Sequence, residues 1–228
     1  MARPSPSPLS RRERERAFRT RLVLEAAETV FAEHGFQGAS VDTIAARAEV
    51  AVGTLYNLFG SKEGVFAALA ALRSEDLLSE VRRALSRART ARAQLSALVE
   101  AVFRYFDAHR DTFRLYLNVT HGFPWHIRAS MGERSFARYQ EVVRLVAAVL
   151  ARTPLGRRRP GRDRRRLAAA FMGALNGLLT DRYMGADGTP IETDVALATR
   201  ALLALVGYSG RSLVARSRTD GVARSRSR

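Results

Sequence analysis

Residues 22–66 read LVLEAAETVFAEHGFQGASVDTIAARAEVAVGTLYNLFGSKEGVF, and their spacing decides the fold. Leu22, Val23, Ala26, Ala27, Val30 and Phe31 recur at helical intervals, so one apolar face runs along a helix. Gly35 is expected to stop that helix, with Phe36 returning to the core. Ser40 then caps a short helix, Val41 to Ala48. A three-residue turn, Glu49 to Ala51, leads into a second short helix, Val52 to Phe59. Gly60 stops it, and Ser61 caps a longer helix beginning at Lys62. Two short helices joined by a tight turn define a helix-turn-helix. Ala45 is small where the helices cross, and Ile44, Val50, Leu55 and Phe59 supply the inner face. Thr54, Tyr56 and Asn57 then lie on or beside the outer face of the second helix, whose N-terminal half would enter a major groove.

Outward from this block the pattern stays helical. Upstream, Ala2 to Leu9 is rich in Pro and Ser and reads as a disordered arm, while Ser10 with Glu13 matches a capping box that would start a helix near Arg11. Downstream, helices are expected over Lys62–Arg87, Ala91–His109, Thr112–His121, Ile127–Arg152, Asp163–Met184 and Glu192–Val206, separated by Gly-, Pro- or Arg-rich breaks. No segment alternates with period two and no repeat is present. The expectation is an all-α chain of nine helices: a disordered arm (1–15), a helix-turn-helix domain (16–65), a larger helical domain (66–206) and a disordered basic tail (207–228) rich in Arg and Ser.

The chain has 228 residues, a net charge of +16, and 46% hydrophobic residues, enough for a substantial core. That charge points to a polyanionic partner, because neutralising phosphates releases counterions, although basic tails also serve only as solubilising segments. Cysteine is absent, which excludes disulfides, thiolate metal sites and a cysteine nucleophile. No run is long enough for a membrane span, and the N-terminus lacks a signal peptide's apolar stretch, so a cytoplasmic protein is expected. There is no Gly-rich phosphate loop, G-x-S-x-G or H-E-x-x-H, and the four histidines lack helical metal-ligand spacing. No catalytic residue, metal or cofactor is therefore assigned, and an enzyme on a helical scaffold is a remote alternative.

With A-x-x-x-F-x-x-x-G-F, S-V-x-x-I-A, G-T-L-Y-x-x-F and S-K-E in register, residues 22–66 resemble the signature of TetR-family repressors, over about a fifth of the chain. The resemblance implies that Gly53 and Thr54 open a recognition helix lying close to DNA. It gives Tyr56 and Lys62 a phosphate contact, Asn57 a base edge, and Ser40 and Thr43 phosphate contacts from the preceding helix. Bland readings stand beside these: Ser40 as a helix cap, Tyr56 as partial core, Thr43 and Lys62 as solvated side chains. Two positions depart from the pattern. Glu49 stands where glycine is usual, which would force a non-glycine residue to positive φ, and Ala51 replaces the usual serine cap. The arginines from Arg11 to Arg21 either reach an adjacent groove or form a solvated face with Glu13 and Glu15.

The rest of the chain matches the family only in architecture. The resemblance implies a double-stranded DNA operator, a homodimer and a small effector. The last two helices carry apolar stripes, Leu167, Phe171, Ala174, Leu175 and Leu178 on one, Val195, Ala198, Leu202 and Leu205 on the other, and in TetR-like proteins such helices form the dimer interface. Gly173 and Gly177 would permit close approach. Phe66, Phe103, Phe106, Tyr116, Trp125 and Tyr139, with the polar His109, His121 and Asn176, are the candidates for an effector cavity, whose aromatic lining would favour an apolar or aromatic molecule. The implied activity is a ligand-responsive repressor. A DNA-binding regulator without a small-molecule ligand is the alternative.

Overall fold

The computed structural model describes residues 10–120, 126–184 and 188–208. The described residues are helical throughout, in the order α1 (Arg11–Gly38), α2 (Val41–Arg47), α3 (Val52–Phe59), α4 (Lys62–Arg87), α5 (Ala91–Ala108), α6 (Arg110–Thr120), α7 (Ile127–Leu150), α8 (Pro154–Arg157), α9 (Gly161–Met184) and α10 (Ile191–Leu205). Nine of these were expected. The tenth, α8, is a single turn inside the stretch read as a break: Pro154 fits the first helical position and the Thr153 hydroxyl accepts the Gly156 amide.

Local chemistry explains the boundaries. Ser10 and Glu13 form the reciprocal capping box, so α1 begins at Arg11 and the expected arm boundary at residue 15 moves back to Ser10. Gly35, at φ 68° and ψ 172°, breaks α1, with one further turn to Gly38. His109, rather than the Arg110–Asp111 pair, divides α5 from α6. Gly132, at φ 83°, kinks α7. Gly207 and Tyr208 pack against the body rather than joining the tail: Tyr208 lies on the main core.

Two cores divide the molecule. The head core joins Val23, Ala27 and Phe31 of α1 to Ile44, Ala45 and Leu55 of the helix-turn-helix. The body core joins α4, α5, α7, α9 and α10, with Phe103, Phe113, Phe171 and Leu175 fully enclosed. Two helices bury residues in both. Helix α4 contributes Val65, Phe66 and Leu69 to the head but Leu78, Val81 and Leu85 to the body, and α6 places Leu115 in the head and Phe113 in the body. The expected domain border at 65/66 therefore runs through the head core, because α4 is one continuous helix that passes between the two.

Candidate nucleic-acid interface and effector cavity

The helix-turn-helix is held from behind. Ile44 and Leu55 are completely buried, and Val50 and Phe59 pack on the same core. Helix α3 can meet α4 closely only because residue 64 is glycine: a Cβ there would sit 2.0 Å from the Phe59 carbonyl oxygen. Glu49 occupies the turn at φ 54°, the strained conformation expected of a non-glycine residue, and Ala51 offers α3 no side-chain cap.

The opposite face is open. Tyr56 is 51% exposed, and Ser40, Thr43, Gly53 and Asn57 are also exposed. Ser40 is a helix cap, accepting the Thr43 amide at 3.0 Å, and its hydroxyl lies 2.7 Å from that of Thr43. A Cβ on Gly53 would meet nothing within 4 Å, so no packing inside the chain calls for glycine there. Thr54 is half-buried. With Asn57 and Leu58 it lines a groove whose other wall is Arg12, Arg16 and Arg19 of α1, with Glu15 salt-bridged to Arg19 at 2.6 Å. The N-terminal turns of α1 thus set arginines beside α3.

Lys62 differs from its expected role. Its ammonium donates to the carbonyls of Phe36 and Ala39, both at 2.9 Å, and lies 4.7 Å from the Phe36 ring centroid. These groups come from the last turn of α1 and its C-cap, 26 residues earlier for Phe36. The amine ties α1 to α4, so the geometry gives Lys62 a role as a clamp of the head.

Above the head, α4 to α7 and α9 enclose a cavity of ≈ 120 Å³, comparable to an engineered apolar cavity of about 150 Å³ that accepts benzene. Of the expected effector residues, Phe106, Tyr116, Tyr139 and Asn176 line it. Phe66 does not: it stacks edge-on with Phe31 and Phe36 in the head core. Phe103 is enclosed in the body core, and His109 packs on Tyr105 at 4.7 Å between centroids and is not among the lining residues. His121 and Trp125 lie outside the described residues. Sequence reasoning missed Arg73, Thr112, Met131, Ser135 and Met172, all of which line the space. Burial pushes the Tyr116 phenol up to about 12 and raises that of Tyr139, so both are neutral hydroxyls at the wall.

A polar cluster closes the cavity toward the head. Glu28 of α1 receives Nε of Arg73 at 3.0 Å and a second guanidinium nitrogen of the same residue, and it also accepts the Thr112 hydroxyl of α6. Arg73 further bonds Asp76 at 3.2 Å, and Tyr105 donates to the Arg73 carbonyl at 3.0 Å. The Arg73 and Glu28 side chains are only 18% and 12% exposed. Burial works against the Arg73 charge, but the hydrogen bond and charge of Glu28 outweigh it and raise the guanidinium pKa. Head, α4, α6 and cavity wall thus meet in one ion-paired latch.

Residues 23–69 match the family model described as "Bacterial regulatory proteins, tetR family". The helix-turn-helix segment of the chain is of the TetR type. The chain is 37% identical over 93 residues to the HTH-type transcriptional activator FasR of Mycolicibacterium smegmatis, covering 41% of this chain and 42% of that protein. It is 32% identical over 94 residues to the HTH-type transcriptional repressor KstR2 of Rhodococcus jostii, covering 41% and 46%. The chain thus spans less than half the length of these curated relatives. A TetR-like transcriptional regulator from Rhodococcus sp. RHA1 superposes with a TM-score of 0.66 at 25% identity, covering 88% of this chain and 100% of that one.

The expected dimer stripes need correcting. Phe171, Leu175, Ala198 and Leu202 are 2% exposed or less, because they are packed into the body core of their own chain. Leu167, Ala174, Leu178 and Val195 are half-buried beside them. The face left open runs through Gly173 and Gly177 of α9, where added Cβ atoms would meet nothing, and through Leu197 and Leu205 of α10, 51% and 56% exposed. Among the described residues no helix is long and apolar enough to cross a membrane, and no cluster of three His, Asp or Glu could hold a metal ion.

Proposed function

We propose that this chain is a ligand-responsive transcriptional repressor that binds a palindromic operator as a homodimer and is released by a small apolar or aromatic effector. The observation that carries the reading is the recognition face itself. Tyr56, Asn57 and Gly53 are held outward on a helix whose inner side is locked, with arginines of α1 across the adjoining groove. That combination supports the reading, since base-reading and phosphate-neutralising groups would then share one surface. One short helix reads too few bases for specificity; two heads spaced about 34–36 Å apart would read both halves of a palindrome. The open face of α9 and α10 supports such pairing: its glycines admit close helix approach, and Leu197 and Leu205 offer apolar area.

The latch supports effector release. Arg73 and Thr112 touch the cavity on one side and Glu28 of the head on the other. A molecule that draws either group toward itself loosens α1 from α4 and α6, and so changes the angle at which the heads are presented. Near-complete switching asks for about 5.5 kcal/mol of differential affinity between the two arrangements.

The test is selection of bound sequences from a random duplex pool by the full chain. Inverted half-sites one helical turn apart, or a multiple of that, are expected. Recovery of no preferred sequence would refute the reading. A reporter driven by the selected site decides the sign of regulation: the repressor reading requires expression to rise when the chain is removed. Turnover of a cavity-bound compound would instead favour an enzyme, and operator binding indifferent to every cavity ligand would favour a regulator without effector.

A further inference from the structure

The end of the body farthest from the head carries charge that DNA reading by the head does not use. Helix α4 starts at the head and spans 26 residues, so its far end lies roughly 39 Å away at 1.5 Å per residue. Four segments meet there. Gln94 of α5 donates to the Leu85 carbonyl near the end of α4 at 2.7 Å. Arg152, just beyond α7, bonds Gln94. The Leu155 amide of α8 donates to the Val206 carbonyl after α10 at 3.2 Å, and Arg92 lies over the Tyr208 ring.

Each of these segments is free of acidic residues near the junction. No Asp or Glu occurs between Glu80 and Glu100, between Glu141 and Asp163, or from Val195 to Tyr208. Arginines are abundant instead: Arg87, Arg89 and Arg92 around the α4–α5 turn, and Arg157, Arg158, Arg159 and Arg162 from α8 into α9, all exposed. None of the seven is in an ion pair among the described residues, whereas Arg82 and Arg83, one to two turns back along α4, are paired with Glu75, Glu141 and Glu80.

We infer that this pole is a second polyanion site, which takes a segment of duplex DNA other than the one held by the recognition helices, so that the protein bridges two duplexes. The bridging part rests on the DNA-binding reading of the head. Unpaired arginines concentrated on one surface are held there against their own repulsion, and a phosphate backbone relieves that repulsion while releasing counterions. A membrane surface is a poorer fit, because interfacial binding needs an apolar face to insert. Here the exposed residues between the arginines are Ser86, Thr90, Ala93, Pro154, Pro160 and Gly161. An acidic protein would need aromatic or aliphatic anchors in pockets, and among the pole's described residues Tyr208 and Leu155 are half-buried, with Arg92 lying over the Tyr208 ring. DNA is also the polyanion at high local concentration for a protein already bound to it.

The experiment uses the full chain in two forms: with Arg157→Ala, Arg158→Ala, Arg159→Ala and Arg162→Ala together, and with the head disabled by Tyr56→Ala and Asn57→Ala. All six side chains are exposed, so folding is expected to persist, checked by helical circular dichroism. Binding of a labelled random-sequence 40-base-pair duplex, a probe length of about four helical turns, is measured against salt for each form and for both sets combined. The head-disabled protein should retain weak binding, and adding the pole substitutions should flatten its log–log salt slope by roughly 3 to 4. In a capture assay, protein loaded on one immobilised duplex should retain a second, free duplex. The pole substitutions should cut that retention about tenfold or more while leaving the first duplex bound within about twofold. Unchanged retention or an unchanged slope overturns the proposal, as does pole-dependent capture of polyglutamate or phosphatidylserine vesicles without capture of DNA. If the head substitutions leave duplex binding intact, the reading of the head fails instead, and the pole is judged by its own substitutions.

Discussion

Removing charge from the Glu28–Arg73 latch tests both how the head is fixed to the body and how the cavity would reach it. Glu28→Gln keeps the shape and one acceptor but removes the charge that two Arg73 nitrogens and the Thr112 hydroxyl address. Hydrogen bonds to charged groups contribute about 1.5–3 kcal/mol each. Breaking a buried ion pair by deleting one partner costs about 3–5 kcal/mol, since the other charge is stranded. The pair here is mostly but not wholly shielded, at 18% and 12% exposure, and the amide retains part of the bonding, so a loss of about 2 kcal/mol is expected from the single change. Arg73→Met should cost a similar amount. The double variant should lose less than the sum, with a coupling of about 1.5–2 kcal/mol, because removing both partners strands neither. Urea unfolding at one fixed protein concentration, which holds any dimer contribution constant, measures all four proteins. A coupling below about 0.5 kcal/mol would show that the pair is screened like a surface bridge and that the latch does not hold the head.

The remaining predictions concern single positions. Gly53→Ala should raise protomer stability by up to about 1 kcal/mol, since alanine favours helix and its Cβ meets nothing, yet weaken operator binding; unimpaired affinity would show that no backbone approaches there. Glu49→Gly removes the positive-φ strain at 54° and should stabilise by about 0.5–1 kcal/mol, read as a higher urea midpoint. Gly64→Ala drives a Cβ to 2.0 Å from a backbone oxygen and should cost at least about 2 kcal/mol, so a neutral effect on the urea midpoint would contradict the α3–α4 packing. Leu197→Glu, on the open face of α10, should shift a dimer to monomer in sedimentation without loss of helical signal. An unchanged mass would place the interface elsewhere.

Much of the head is readable one residue at a time because its signals are local. The capping box at Ser10 and Glu13, the caps at Ser40 and Ser61, the stop at Gly60 and the strained turn at Glu49 each depend on neighbours within a few positions. The apolar spacing of Ile44, Val50, Leu55 and Phe59 likewise marks one buried face of a two-helix unit. The all-helical class follows from the same periodicity, and the likeness of residues 23–69 to the tetR family model from the motif that this spacing carries.

Which face meets which partner is settled only in three dimensions. A helical stripe says that a face is buried, not against what: Phe66 turned to the head, Phe103 to the body, and Phe171 and Leu175 to their own chain rather than a second copy. Lys62 found its carbonyls 26 and 23 residues away, Arg73 found Glu28 at a separation of 45, and Thr112 found the same carboxylate at 84. The basic pole assembles from arginines that stand in separate helices and turns. Hydrogen-bond and charge partners at such separations leave no local pattern, because they are chosen by how whole helices pack, and it is that packing which makes α4 and α6 the shared walls of head and cavity.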